Sequence, residues 1–151
     1  MSHICTLKVE LRDLAAIKAA CQRMGWQLRQ GQATFRWYGR YIGDYPDFEK
    51  RLRSLGINPA DYGKCTHAIR VPGADYEIGL VQQGNKFVPL WDNYRPGGLQ
   101  ALTADNGMAG FYQAYVLEKS KLEARRKGLP TREVKQKDGS IKLVIEQRGA
   151  A

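Results

Sequence analysis

The chain has 151 residues, the size of one ordinary domain, and 43% of them are apolar. This composition excludes a disordered chain, and the lack of an apolar run of about 18 residues excludes a transmembrane helix. A net charge of +9, from 24 Lys and Arg against 15 Asp and Glu, favours an acidic partner. The start of the chain lacks the basic and apolar stretches of a signal peptide, so a cytoplasmic protein is expected.

The N-terminal quarter predicts a strand, a helix and two short strands. Residues 4–10 alternate between apolar and polar side chains, which is typical of a half-buried strand. Asp13 can cap the helix that follows, and Gly25 ends it. Residues 26–30 and 33–38 then favour two short strands.

The middle of the chain leaves this pattern and returns to it. Residues 39–63 combine a loop, a short amphipathic helix that begins at Pro46, and a turn-rich stretch. We interpret 39–63 as an insertion-like excursion from a sheet. Three strands follow at 65–71, 75–82 and 86–91, joined by short turns.

The C-terminal third predicts a loop, a helix and a hairpin. Residues 93–110 are rich in glycine and long for a loop, which indicates a mobile or functional segment. Residues 111–127 form the second main helix, and cations crowd its later turns. An Asp-Gly pair at 138–139 between the alternating segments 131–137 and 140–147 favours a hairpin with a type I′ turn.

These elements predict an α+β fold. We expect an antiparallel sheet of about six to eight strands, two main helices packed on one face, and the helical excursion at 39–63. Residues 1–148 are expected to form a single domain, followed by a disordered tail at 149–151.

Several short segments, spread from the start to the end of the chain, together carry a resemblance to a known family. They are M-S-H at 1–3, R-D-L at 12–14, G-W at 25–26, I-R-V-P-G at 69–73, D-Y-E-I-G-L at 75–80 and K-D-G-S-I-K-L-V-I at 137–145. In this arrangement the chain resembles the hypothetical chloroplast reading frame thirty-five family, which groups small proteins of cyanobacteria, algal plastids and other bacteria as a domain of unknown function. The resemblance implies an antiparallel sheet with helices packed on it, and it brings no catalytic residues.

Two groups of cations could contact nucleic acid, one beside aromatic residues at the start of the excursion and one at the end of the second main helix. Single-stranded nucleic acid is held by stacking on aromatic rings and by cations on its phosphates. The candidates are Arg36, Tyr38, Arg40, Tyr41, Lys119, Lys121, Arg125, Arg126 and Lys127. Arg132, Lys135 and Lys137 lie beyond them. The alternative is structural, with core or loop-pinning aromatics and a solvated charged helix.

The only two histidines each lie two residues from a cysteine, as His3 with Cys5 and Cys65 with His67. Residues i and i+2 of a strand share a face, so two neighbouring strands could present four ligands to a zinc ion. The alternative is that both cysteines are small core residues, and no cofactor is predicted. Three cysteines in all, an odd number, argue against a disulfide framework.

Several enzyme signatures are missing from the chain, including the Gly-x-Ser-x-Gly, phosphate-loop, His-Glu-x-x-His and dinucleotide patterns. No catalytic residue is therefore proposed. The sequence favours a non-enzymatic accessory or adaptor protein that docks on a larger protein partner, through the 93–110 loop, the segment at 38–45 and an exposed strand edge. The alternative is a nucleic-acid or nucleotide-binding module that takes RNA or single-stranded nucleic acid on its basic, aromatic-rich surface.

Overall fold

A computed structural model of the chain describes residues 9–39, 46–92, 97–99 and 107–146, and these residues form an α+β fold. A four-stranded antiparallel sheet and a separate two-stranded ribbon are combined with helices. The elements are α1 (Leu14–Met24), β1 (Gln27–Gln30), α2 (Pro46–Ser54), β2 (His67–Arg70), β3 (Glu77–Gln83), β4 (Lys86–Leu90), α3 (Gly107–Arg126), β5 (Thr131–Lys135) and β6 (Ile141–Ile145). Within the described ranges, no helix is long and apolar enough to cross a membrane.

The main sheet has the order β1-β2-β3-β4, and each pair of neighbours is antiparallel. Beyond β4, Leu11 forms a bridge with Phe87, whose N–H donates to the Leu11 carbonyl at 2.7 Å. The chain just after the predicted first strand therefore runs beside β4. Residues 4–8 of that predicted strand lie outside the described residues.

The sheet is buried on both faces, because alternate residues of its strands enter two different core clusters. Ile69 and its cross-strand partner Ile78 point to one face, whereas Ala68 and its partner Gly79 point to the other. The first core cluster contains Leu11, Ala16, Ile17, Ala20, Cys21, Ile69, Ile78, Leu80, Phe87, Leu99, Met108, Phe111, Ala114 and Tyr115. The second core cluster contains Phe35, Leu52, Ile57, Tyr62, Ala68 and Leu90.

Helices α1 and α3 supply the helical part of the first core cluster. The predicted ends of α1 are confirmed, since the Asp13 carboxylate accepts from two N–H groups of the first turn and Gly25 adopts a φ of 75°. On α3, the buried Tyr115 hydroxyl accepts from the backbone N–H groups of Arg12 and Asp13, both at 3.0 Å. One side chain of α3 thereby fixes the segment that leads into α1.

Residues from the excursion cover the second face. Leu52 of α2, Ile57 and Tyr62 are buried in the second core cluster. Phe35 lies over β3, where a Cβ built on Gly79 would stand 2.2 Å from its ring. Residues 46–62 thus supply the apolar cover that the sheet requires on this side.

The prediction of one sheet with six to eight strands is not confirmed. Four strands share the main sheet and the last two form their own ribbon. Among the described residues the predicted strand at 33–38 makes only a Thr34–Lys64 bridge, because Arg36 turns to β3. There its carbonyl accepts from the Glu77 N–H and its own N–H donates to the Glu77 carboxylate, both at 3.0 Å. The predicted strand at 75–82 begins later, since the N–H groups of residues 75 and 76 donate to the Gly97 carbonyl instead.

The hairpin is present, but its predicted type I′ turn is wrong. The Gln136 N–H donates to the Ser140 carbonyl at 2.8 Å, which encloses a three-residue loop. Gly139 takes a φ of 87°, and the Asp138 carboxylate accepts from both the N–H and the hydroxyl of Ser140. The Asp-Gly pair therefore closes a longer loop with a left-handed glycine, another common hairpin connection.

Candidate nucleic-acid interface

The end of α3 and the ribbon form one continuous unit. The Leu129 N–H donates to the Ala124 carbonyl at 2.8 Å, and Gly128 has a φ of 70°, so the helix stops and the chain reverses into β5. Residues 107–146 hold nine Lys and Arg against five Asp and Glu. This unit therefore carries four of the nine net positive charges.

An ion-pair network joins the ribbon to both long helices. Arg23 of α1 contacts Glu118 of α3 at 2.9 Å and Glu133 of β5 at 2.6 Å. Lys121 of α3 also contacts both carboxylates, at 3.6 and 2.9 Å. Hydrogen bonds from Lys121 and Arg23 lower the pKa of Glu133. Lys121, predicted to contact nucleic acid, therefore has a structural role.

Arg126 and Lys119 lie away from this network. Arg126 is 3.6 Å from the Asp13 carboxylate at the start of α1. Lys119 lines an open groove of about 450 Å³ between α3 and the segment before α1, together with Arg12 and Glu123. Neither residue forms an ion pair with β5 among the described residues.

The other cations of the unit form no ion pair among the described residues. Arg125 follows Lys121 by one turn, on the side of α3 that meets β5. We use the name C-terminal cationic surface for Arg125, Lys127, Arg132, Lys135 and Lys137, all of which are exposed. The nearby acids Glu118 and Glu133 are both engaged with Arg23 and Lys121. The surface therefore presents excess positive charge to solvent.

The aromatic group lies in a different part of the fold. Arg36 is exposed and Tyr38 half-buried, and both belong to the segment that packs on the second core cluster. The Tyr38 N–H donates to the Asp92 carboxylate at 3.2 Å. The neighbouring Trp37 ring packs edge-on against the Tyr62 ring, with 4.6 Å between the ring centroids. This segment and α3 pack on opposite faces of the sheet. The predicted residues Arg40 and Tyr41 lie outside the described residues.

Glu77 organises this aromatic segment and was not predicted. Its buried carboxylate accepts from the Arg36 N–H at 3.0 Å and from the Gln32 side-chain amide at 3.1 and 3.2 Å. The Glu77 carboxylate, 41 residues further along the chain, thus accepts from the Arg36 N–H, which in a regular strand would pair with a neighbouring strand. No local pattern signals such a contact.

The Cys65 and His67 side chains each have a hydrogen-bond partner. The Cys65 thiol donates to the Gln32 carbonyl at 3.1 Å, and His67 Nδ1 accepts from the Gly31 N–H at 2.9 Å. Burial raises the pKa of the Cys65 thiol to about 11, and the charge of Glu77 adds to the rise. His3 and Cys5 lie outside the described residues, so the four-ligand zinc site stays a prediction.

No family model, curated protein or solved structure matches the chain. The resemblance to the chloroplast reading frame family therefore stays a prediction.

Proposed function

We propose that this protein binds nucleic acid through the phosphate backbone, with the C-terminal cationic surface as the contact. The observation that carries the proposal is that acidic side chains beside the ribbon are held in ion pairs, whereas the cations on its surface form none among the described residues. The nearby carboxylates Glu118 and Glu133 are engaged by Arg23 and Lys121, whereas the five surface cations form no ion pair among the described residues. A polyanion that neutralises these cations releases counterions, and this release supplies most of the affinity of non-specific nucleic-acid binding.

The chemistry of the surface favours phosphate contacts over base contacts. Residues 116–146 contain no aromatic side chain, so stacking of bases is not expected there. Contacts to phosphate position a protein on a strand but carry no sequence information. The proposed activity is therefore sequence-independent binding without catalysis.

Fluorescence anisotropy with a labelled single-stranded RNA across a salt series tests this proposal. If about three to five phosphates are contacted, the logarithm of the affinity falls with the logarithm of salt with a slope of roughly −2 to −3.5. Homopolymers of uridine and adenosine should bind within about threefold of each other. Undetectable binding at about 50 mM salt, or affinity that does not change with salt, would remove the proposal.

A second candidate is the accessory protein that docks on a larger protein partner. The observation in its favour is strand β6, where Ile141 and Ile145 are 42% and 43% exposed. Large apolar side chains on an open strand favour association with protein. A stoichiometric protein captured from source-cell extract, kept after nuclease digestion and lost on Ile145→Asp, supports this candidate. A companion released by nuclease supports nucleic acid instead.

A further inference from the structure

We infer that β6 pairs antiparallel with β6 of a second copy of this chain, in the register that places Lys142 of each copy opposite Glu146 of the other. This inference concerns strand β6 and does not depend on the proposed function.

Strand β6 is an open edge of the ribbon. The Gln136 N–H donates to the Ser140 carbonyl at 2.8 Å, and the Glu146 N–H donates to the Pro130 carbonyl at 2.9 Å, so even-numbered residues turn their backbone groups inward. In an antiparallel pair this orientation alternates. The N–H and C=O groups of Ile141, Leu143 and Ile145 therefore point away from β5. Among the described residues no third strand joins this ribbon.

The two edges of the ribbon differ in their surroundings. Strand β5 lies on the side of the long helices, because its Glu133 is held by Arg23 and Lys121. Strand β6 has no ion pair to the helices among the described residues. It is therefore the edge available to a further strand.

The side chains of β6 carry little of the usual protection of an edge strand. Proteins commonly place charged side chains, a proline or a bulge on such an edge to prevent pairing, and β6 has a single lysine. Here Ile141, Leu143 and Ile145 share one face, and Lys142 is the only charged residue of the strand. An exposed apolar strand of this kind is a template for another strand.

The charges of Lys142 within β6 and of Glu146 just after it favour a second copy of the chain as the partner. Lys142 and Glu146 lie four residues apart, on the same face and with opposite sign. An antiparallel pair centred on Val144 places each Lys142 opposite the Glu146 of the other copy, and so forms two ion pairs. Because even-numbered residues would form non-hydrogen-bonded pairs, their side chains approach closely, with Cα atoms about 4.5 Å apart.

The same register also gives hydrogen-bond partners to the N–H and C=O groups of β6 that point away from β5. Leu143 of one copy meets Ile145 of the other as a hydrogen-bonded pair, so apolar side chains pack on the shared face. A register centred on Leu143 would instead place Lys142 opposite Val144, without an ion pair. The two-fold arrangement is closed, yields a four-stranded sheet, and leaves the cationic strand β5 at both outer edges.

Sedimentation equilibrium of the purified chain tests the inference at concentrations from about 10 to about 500 µM, since the pairing of two short strands is small beside a standard interface of roughly 1,200–2,000 Å². Wild type should reach dimers, and Lys142→Glu and Glu146→Lys should each weaken association about tenfold or more, because each change opposes like charges. The double reversal should restore it. Within the chain Lys142 lies opposite Val134, so these changes break no internal ion pair.

Lys135→Glu is the matched control, because it makes the same charge change on β5 of the same ribbon. It should leave the dimer constant within about twofold. Circular dichroism should show an unchanged fold for all four variants. A wild type that stays monomeric at about 500 µM, single reversals that do not weaken the dimer, or a double reversal that fails to restore it would overturn the inference.

Discussion

The main sheet and the β5–β6 ribbon are both antiparallel, but their strands lie in different surroundings. The strands β2, β3 and β4 are covered on one face by α1 and α3 and on the other by residues 46–62. The ribbon leaves Ile141 and Ile145 exposed, and only its β5 side is tied to the helices. Apolar side chains of the sheet therefore stabilise the core, whereas exposed apolar and charged side chains of the ribbon are available to a ligand or a partner. Changes in the sheet and in the contacts that tie the ribbon to the helices should therefore cost stability, and changes of the exposed ribbon side chains should cost binding.

The largest loss of stability is expected at Gly79. A methyl group there would enter the space of the Phe35 ring, since the built Cβ lies 2.2 Å from a ring carbon. We expect Gly79→Ala to lower the free energy of unfolding by about 2–3 kcal/mol, measured by urea denaturation. Gly110→Ala is the control, because among the described residues the new Cβ would meet only Met24, at 3.7 Å. Replacing this helical glycine should stabilise the fold by about 0.5 kcal/mol. Equal stability of Gly79→Ala and wild type would show that Phe35 does not cover β3.

A smaller loss is expected at Tyr115. Its hydroxyl accepts from the N–H groups of Arg12 and Asp13, so Tyr115→Phe would leave both donors without this partner. We expect a loss of about 1–3 kcal/mol in the free energy of unfolding. Tyr112→Phe is the matched change on the same helix, because the Tyr112 hydroxyl has no hydrogen bond to any of the described residues, and it should cost less than about 0.5 kcal/mol. Identical effects of the two variants would contradict this role of Tyr115.

The smallest stability effect is expected at Glu133, which ties the ribbon to the sheet's helices. The pKa of Glu133 is lowered in the folded state, so its ion pairs stabilise the fold above the unfolded pKa of about 4.3. This contribution is lost as the pH falls through the lower folded pKa. After allowance for solvent screening, Glu133→Gln should cost about 0.5–1 kcal/mol at pH 7 and nothing near pH 2.

Glu123→Gln on α3 is the control for this pH dependence, because Glu123 forms no ion pair among the described residues. Urea denaturation at both pH values should find it close to wild type. A Glu133→Gln variant that loses as much stability near pH 2 as at pH 7 would show that the network does not act through charge.

The parts of the fold that could be predicted are those set by near neighbours in sequence. Helix α1 followed from Asp13 and Gly25, which act within one turn of their own helix. The cover of the sheet by residues 46–62 could not be predicted, because it depends on contacts of Leu52 and Tyr62 with distant strands. The candidate site was predictable to the same extent. The run of cations could be read from the sequence, but the ion pairing of the acidic residues beside it depends on Arg23, which lies 110 residues from Glu133.

The most direct test of the nucleic-acid proposal compares two variants that remove the same charge from different surfaces. Arg125→Gln, Arg132→Gln and Lys135→Gln together remove three of the five charges of the C-terminal cationic surface. Lys50→Gln, Arg51→Gln and Arg53→Gln together neutralise the exposed cations of α2, over the other face of the sheet. The affinity of each for a labelled single-stranded RNA is measured at about 100 mM salt. The account predicts a loss of about tenfold or more for the first variant and less than about threefold for the second. Equal losses, or a larger loss for the α2 variant, would contradict it.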